Sequence, residues 1–342
     1  MNQDWADKFE NYVLGARSIA VCVHKSPDPD AMGSLVAMQK FYDNYFAKIH
    51  DAEIHYIIPD ELPDHLQWMI EGERGKYLID DDFQKGGERI FNDADLVICM
   101  DLADSARIAM YGPLFDKSDA IKVNIDHHPQ ICDDFDFVVR DMSVSSTSEL
   151  LFTLLSLISA DSMDSGIANA LYAGILGDTG SFSYSCDNPS TYYVVAELLT
   201  LGAEVSKIHE LLFNNYPYER TQLLGYVLDK KLKLVKVNNE MVSYYTLSTK
   251  ELKEYHYKPG YLENVINYAL NIKGVKVAAS FVQRNNNLIR ISLRSKGKIR
   301  INEFASNYFN GGGHPNASGA SVYDKSLEEC VDIYLKNIPE VF

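Results

Sequence analysis

Three short apolar runs in the first half of the chain constrain its fold more than any other feature. Residues 18–23 and 96–100 are rich in Val and Ile and continuous rather than alternating, and residues 121–125 set Ile and Val at every other position. A strand that is apolar at consecutive positions has to bury both faces, which is the signature of a parallel sheet covered by helices on two sides. Each run also leads into residues able to bind a metal: His24 after the first, Asp101 after the second, Asp126-His127-His128 after the third. In open α/β sheets the carboxyl ends of parallel strands border the ligand crevice. Side chains about a hundred positions apart can therefore meet there.

Residues 53–58 read as a fourth strand, and helical patterns fill the gaps. Residues 30–46 carry apolar side chains at roughly helical spacing, and Ser146-x-x-Glu149 reads as a capping box opening the apolar run 150–158. Alternation of strand and helix predicts an α/β fold with a doubly wound, mainly parallel sheet. Residues 208–234 look helical with a break near Pro217. Beyond about residue 236 the pattern changes to shorter strands with period-two alternation: Ile289, Ile291 and Leu293 face a core, with Arg290, Ser292 and Arg294 on the other face. A chain of 342 residues is long enough for two cores. The expected division is a metal-binding catalytic domain over 1–205, a helical linker over 206–235, and a second, smaller α/β substrate-binding domain over 236–342.

Charge narrows the function. The net charge of −16 is unevenly spread: residues 1–205 hold 13 Lys and Arg against 35 Asp and Glu, while the remainder is mildly basic. Proteins that grip long nucleic acid duplexes show broad basic surfaces. An acidic front half suits small anionic ligands better, a small nucleotide or short RNA, with bound cations supplying the positive charge. No stretch of 18 uncharged apolar residues exists and the first ten residues lack a signal core, so a cytoplasmic protein that does not engage membranes is expected. Five widely spaced cysteines, Cys22, Cys99, Cys132, Cys186 and Cys330, suggest reduced thiols rather than a disulfide framework or a zinc ribbon.

The chemistry concentrates in four segments. His24-Lys25-Ser26-Pro27-Asp28-Pro29-Asp30 packs an imidazole and two carboxylates into seven residues. Without a cation or hydrogen bonds such carboxylates repel; the plainer reading is a solvated turn with Asp30 as helix N-cap. Asp101 closes an apolar strand, where an unpaired carboxylate is costly to bury. Asp126-His127-His128 sets a carboxylate beside two imidazoles, the arrangement that fixes a ligating ring's tautomer. Asp178 lies in Gly174-Ile175-Leu176-Gly177-Asp178-Thr179-Gly180, whose glycines let backbone approach a ligand closely; a helix C-cap and turn is the alternative. His24, Asp28, Asp30, Asp101, His127 and Asp178 together form a hard nitrogen and oxygen set suited to two ions. Manganese fits best, with magnesium or other divalent metals next and zinc less so.

Taken in order, His24-x-x-x-Asp28-x-Asp30-Ala31-x-Gly33-Ser34, Asp101, Asp126-His127-His128-Pro129, Asp178-Thr179-Gly180 and Gly311-Gly312-Gly313-His314 resemble the motifs of the DHH phosphoesterases. The resemblance spans nearly the whole chain. Its C-terminal motif is similar to that of the subgroup with a DHH-associated domain, and within it to bifunctional oligoribonuclease and pAp phosphatase proteins, the nanoRNases. The resemblance implies that His24 and Asp28 bind one Mn²⁺, that Asp30, His127 and Asp178 bind the other, and that Asp101 bridges them. It makes His128 the group that contacts the scissile phosphate and Asp126 the residue that orients a neighbouring imidazole. The implied reaction is hydrolysis of short oligoribonucleotides or 3'-phosphoadenosine 5'-phosphate (pAp) by a two-metal activated hydroxide, and the resemblance also implies a homodimer. Cyclic di-AMP or pApA phosphodiesterase, manganese pyrophosphatase, processive exonuclease and a non-catalytic nucleotide-binding module are the competing readings. Many relatives have Thr where this chain has Gly177.

Residues 311–319 read as a nest of backbone amides able to cradle an anion, with His314 as an added donor and Ser318 within the same motif. The acid-free stretch 284–300 holds six basic residues, of which Arg294 is placed to grip a terminal phosphate. Substrate is expected between the two domains. Phe182 and Tyr184 are candidates for stacking on a base. His50, His55, His65, His209 and His256 have no such companions and read as ordinary surface or core residues.

Overall fold

The apolar runs form strands whose both faces are covered. In this computed structural model, which describes residues 3–79, 86–129, 133–285 and 287–342, the chain divides into two compact units, Met1–Asn215 and Tyr216–Phe342. The first unit contains β1 (Ser18–Cys22), β2 (Glu53–Ile58), β3 (Tyr77–Ile79), β4 (Leu96–Met100), β5 (Ile121–Asp126) and β6 (Phe137–Arg140). They pair in parallel in the order β3-β2-β1-β4-β5-β6. Alternate residues enter two different cores. Ile19, Val21, Ile98, Met100, Val123 and Ile125 pack among the helices of one face, whereas Ala20, Cys22, Val97 and Cys99 pack with Phe91, Tyr111 and Phe115 on the other. Burying each such branched side chain contributes about 1.5–3 kcal/mol, which is why the runs are continuous.

The helices of this unit are α1 (Gln3–Gly15), α2 (Pro29–Asn44), α3 (Gly87–Asp93), α4 (Gly112–Lys117), α5 (Thr147–Ser159), α6 (Ser165–Asp178), α7 (Pro189–Thr200) and α8 (Val205–Phe213). The turn before α2 differs from the sequence reading. Asp28, not Asp30, is the N-cap: its carboxylate accepts the amides of Asp30 and Ala31, and Pro29 occupies the first turn, where its fixed φ costs nothing. The glycines around Asp178 also play another part than expected. A Cβ on Gly33 would stand 2.5 Å from the Ala170 carbonyl oxygen, and one on Gly174 would stand 2.0 Å from Ser148 Oγ. They let α2, α5 and α6 pack closely, with α2 and α6 in backbone contact. Gly177 is explained in the same way, because a Cβ there would meet the Pro29 ring at 2.6 Å.

The second unit holds α9 (Tyr218–Tyr226), β7 (Lys233–Val237), β8 (Glu240–Leu247), α10 (Thr249–Glu254), α11 (Val265–Leu270), β9 (Val275–Asn285), β10 (Leu288–Ser295), α12 (Ile301–Phe309), β11 (Gly312–His314), β12 (Ala317–Tyr323) and α13 (Leu327–Asn337). Its sheet runs β11-β12-β10-β9-β8-β7, antiparallel throughout except for the parallel pair β8 and β9. These strands are not shorter than those of the first unit; β9 has 11 residues. Ile289, Ile291 and Leu293 are buried against α12 and α13, as the alternation predicts. The helical stretch breaks at Pro217, between α8 and α9, and ends before Leu234, which lies in β7. Among the described residues no helix is long and apolar enough to cross a membrane. Cys22, Cys99 and Cys330 are buried and Cys186 is half-buried, with the Cys22 and Cys99 sulfurs 3.3 Å apart; Cys132 lies outside the described residues.

Candidate metal centre

The strand order 3-2-1-4-5-6 reverses direction between β1 and β4, and a crevice opens at the carboxyl ends of strands at such a switch point. His24 lies two residues beyond β1 and Asp101 follows β4 directly. Asp126 ends β5, with His127 and His128 next in the chain. Asp28 and Asp30 arrive from the first turn of α2, and Asp178 from the last residue of α6. Asp101 sits at φ 57, in the left-handed region that side-chain-bearing residues avoid. Its amide donates to the Ile125 carbonyl at 3.1 Å, which fixes the β4 end to β5. A non-glycine residue held this way at a strand end is a feature of functional sites.

The six expected ligands come together in two neighbouring groups. His24, Asp28 and Asp101 form one set of mutually close donor atoms, and Asp30, His127 and Asp178 form another. His24 Nε2 stands 3.4 Å from Asp101 Oδ2 and 3.6 Å from Asp28 Oδ2. His127 Nε2 stands 3.1 Å from Asp178 Oδ2 and 3.8 Å from Asp101 Oδ1. Asp101 thus turns one oxygen to each group. Ligands about 2.1 Å from one octahedral ion lie roughly 3 Å apart, close to these spacings.

Hydrogen bonds fix the rings. His24 Nδ1 lies 2.8 Å from the Lys25 carbonyl oxygen; a carbonyl only accepts, so Nδ1 carries the proton and Nε2 faces the carboxylates. That Nε2 is buried and makes no well-formed hydrogen bond. His128 Nδ1 donates to Asp126 Oδ1 at 2.6 Å, and the His128 amide donates to the same oxygen at 3.1 Å. Asp126 is fully buried, and its carboxylate holds the His128 ring through these two bonds.

The electrostatics call for a cation. Burial alone would push the His24 imidazole down, yet Asp101 and Asp28 outweigh it and bring it to about 10. Burial likewise opposes protonation of His127, and Asp178, Asp101 and Asp30 raise it to about 10. Burial and the charges of Asp101 and Asp178 push the Asp30 carboxyl well above the usual range, and burial also raises Asp178 in spite of His127. Asp178 moreover sits at the C-terminal end of a helix, the negative end of its dipole. Burial is overcome for Asp101 and Asp28, which the imidazoles hold below the usual range. Four carboxylates and two imidazoles stay together here only by holding extra protons or by binding cations. The donors fit divalent ions that prefer nitrogen and oxygen.

Sequence reasoning missed the third element of the site, the buried segment before and within the first turn of α5. Thr147 and Ser148 amides donate to Asp30 Oδ2 and Oδ1 at 2.7 and 2.9 Å, and Thr147 Oγ1 donates to Asp101 Oδ1 at 3.1 Å. The anticipated capping box is half formed. Ser146 accepts the Glu149 amide, but the Glu149 carboxylate bonds to Ser145 instead of to Ser146. Five successive buried polar residues were the available signal.

In the second unit, Arg294 lies on β10 opposite Ala317 of β12, and Arg294 Nη1 donates to the Leu293 carbonyl. The glycine run is not an isolated nest. Gly312, Gly313 and His314 form β11, the edge strand of a hairpin with β12, and Cβ atoms on Gly311 and Gly313 would meet β12 backbone oxygens at 2.3 and 2.6 Å. Ser318, expected to contact substrate, is buried and donates to the Ile301 carbonyl. Phe182 stacks on Tyr192 and packs against the first core, while Tyr184 is exposed. His50 bonds to the Ala16 carbonyl, His55 to Glu53 and His209 to Ser181, away from the donor set.

A parallel sheet with an imidazole and carboxylate cluster at its switch point, followed by a separate mixed-sheet unit, is an arrangement able to hold divalent ions for hydrolytic chemistry. Residues 18–175 match the DHH family, N-terminal domain, and residues 241–340 match the DHHA1 domain. A probable bifunctional oligoribonuclease and PAP phosphatase of Streptococcus mutans is 31% identical, over 94% of this chain and 94% of its own. The bifunctional oligoribonuclease and PAP phosphatase of Bacillus subtilis is 28% identical, over 88% of each. The crystal structure of an exopolyphosphatase-related protein from Bacteroides fragilis superposes with a TM-score of 0.88 at 31% identity, covering 99% of this chain and 96% of that one. RecJ of Thermus thermophilus in complex with Mn²⁺ shares the fold at 12% identity and a TM-score of 0.58, covering 99% of this chain and 55% of its own. The chain belongs to the DHH family.

Proposed function

We propose that this chain is a manganese-dependent phosphoesterase that hydrolyses short oligoribonucleotides and pAp to mononucleotides and phosphate. One observation carries the reading: two imidazole and carboxylate groups that share Asp101, one oxygen directed to each. His24, Asp28 and Asp101 would hold one ion; Asp30, His127, Asp178 and Asp101 would hold the other. When bound, such a pair of divalent ions neutralises phosphate oxygens and lowers the pKa of a water molecule. The donors are imidazoles and carboxylates without a thiolate, which favours Mn²⁺ over zinc.

The protein's own groups do the rest. His128, whose ring is oriented by the bond from Nδ1 to Asp126, would act on a phosphate oxygen or the leaving oxygen as negative charge builds. Arg294 and the β11 edge with His314 are the elements of the 236–342 domain assigned to substrate recognition, while 1–205 carries the chemistry. The relatives named as oligoribonucleases and PAP phosphatases support the substrate class. So does the strongly acidic first half, which disfavours long nucleic acid and goes with a cytoplasmic enzyme of small anions.

The test is a manganese-supplemented assay against pAp, pApA, cyclic di-AMP, longer RNA and pyrophosphate, with products resolved. Phosphate from pAp together with mononucleotides from short RNA is the expected result. Cleavage confined to cyclic di-AMP and pApA would move the assignment to a dinucleotide phosphodiesterase. Binding without turnover of any substrate would make the chain a regulatory module.

A further inference from the structure

Residues 145–149 are Ser-Ser-Thr-Ser-Glu, and each is 2% exposed or less. Polar groups this deep need partners, and these have them on two sides. Facing away from the donor set, Glu149 Oε2 accepts the Ser145 amide at 2.9 Å, the Ser145 hydroxyl at 2.7 Å and the Thr191 hydroxyl at 2.8 Å. Oε1 accepts the Ser190 hydroxyl at 2.7 Å. One carboxylate thereby ties the start of α5 to the start of α7. On the other side, the Thr147 and Ser148 amides take one oxygen each of Asp30, which fixes the plane of that carboxylate at a helix N-terminus.

Thr147 is the residue that touches both groups of donors. Its amide holds Asp30, and its hydroxyl donates to Oδ1 of Asp101. That oxygen faces His127 and His128 at 3.8 and 3.6 Å, whereas Oδ2 faces His24. A short side chain on a left-handed backbone has its Cα–Cβ direction set by the chain, but rotation about the carboxylate remains to be fixed. The Thr147 hydroxyl fixes it.

We propose that Thr147, held by the buried Glu149 clamp, is a positioning residue of the metal centre that sets how Asp101 divides its two oxygens between the ions. The proposal rests on the metal reading above. Groups that orient ligands without binding the ion commonly account for about 10–100-fold in metal affinity. A hydroxyl that serves only packing would be replaced without such a loss.

The experiment is calorimetric titration of Mn²⁺ into wild-type, Thr147→Val and Thr147→Ser proteins, with melting curves in EDTA alongside. Valine keeps the shape and the amide bond to Asp30 but removes the hydroxyl; serine keeps the hydroxyl and loses a methyl. Thr147→Val is expected to bind Mn²⁺ about tenfold more weakly, with an EDTA melting curve like that of wild type. Thr147→Ser is expected to bind within about twofold of wild type, since the donor is retained. Wild-type affinity in Thr147→Val, or equal losses in both variants, would overturn the positioning role and leave the metal reading intact. Wild-type protein that takes up no divalent ion would overturn the metal reading itself. Thr147→Ala carries the same comparison if the valine is not accommodated.

Discussion

At the scale of single residues, the centre is a problem of too much negative charge that the fold solves in two ways. Without a cation, His24 and His127 hold protons up to about 10, and Asp30 is pushed toward its neutral form. Both imidazoles are raised above their ordinary 6.5, so the ion pairs they make stabilise the metal-free fold fully below pH 6.5. That stability is lost as the pH rises through about 10. Ligation requires neutral rings, so a cation must displace these protons. Mn²⁺ affinity is therefore expected to rise with pH between about 6.5 and 9, with proton release. Calorimetry in two buffers of different ionisation enthalpy measures the release, and pH-independent binding would contradict this electrostatic account. The residue types were legible in the sequence, since strand-end carboxylates and imidazoles have few structural uses. Asp28 as N-cap, the left-handed Asp101 and the Thr147 hydroxyl were not, because each depends on where a second segment places its donors.

At the scale of elements, the strands were readable where both faces are buried and obscure elsewhere. β1 and β4 stand out as continuous apolar runs and β5 as alternating Ile and Val, whereas β3 and β6 have three and four residues and are mostly half-buried, too short for a pattern. Glycine was the least readable residue. Gly174 and Gly177 look like ligand-loop residues, but a side chain on either would collide with Ser148 or Pro29. Gly174→Ala puts a methyl 2.0 Å from Ser148 Oγ and 2.9 Å from Asp30 Oδ1. It is expected to destabilise the fold by about 1–3 kcal/mol through overpacking and to displace Asp30. Urea unfolding with and without Mn²⁺ checks both effects; unchanged stability would mean that α6 can shift freely. In the run 311–313 the backbone is set by a partner as well, since whether glycines form a nest or an edge strand is decided by the neighbouring strand, here β12.

For the whole molecule, the proposed division of chemistry between the two units predicts that variants in each fail differently. Asp101→Asn keeps the side-chain shape and a residue that tolerates a left-handed backbone, so the protein should fold. Loss of the shared charge is expected to lower kcat by roughly a hundredfold or more. Arg294→Ala in the second unit is expected to raise KM for pAp with kcat largely kept, the mark of lost binding rather than lost chemistry. Steady-state kinetics in Mn²⁺ separates the two. An Asp101→Asn enzyme with normal kcat would remove the shared carboxylate from the mechanism, and an Arg294→Ala enzyme with normal KM would remove Arg294 from substrate recognition.

The sequence by itself determined the layer architecture of the first unit and the identity of its metal-type residues, because both follow from local pattern: apolar continuity for buried strands, and polar residues where burial is costly. Only the tertiary structure decided which atom faces which. Oxygen-by-oxygen assignment of Asp101, the amide clasp on Asp30 and the helix contacts through glycine all join segments far apart in the chain. Hydrogen-bond geometry acts over a few ångströms of space, and sequence spacing carries no record of it.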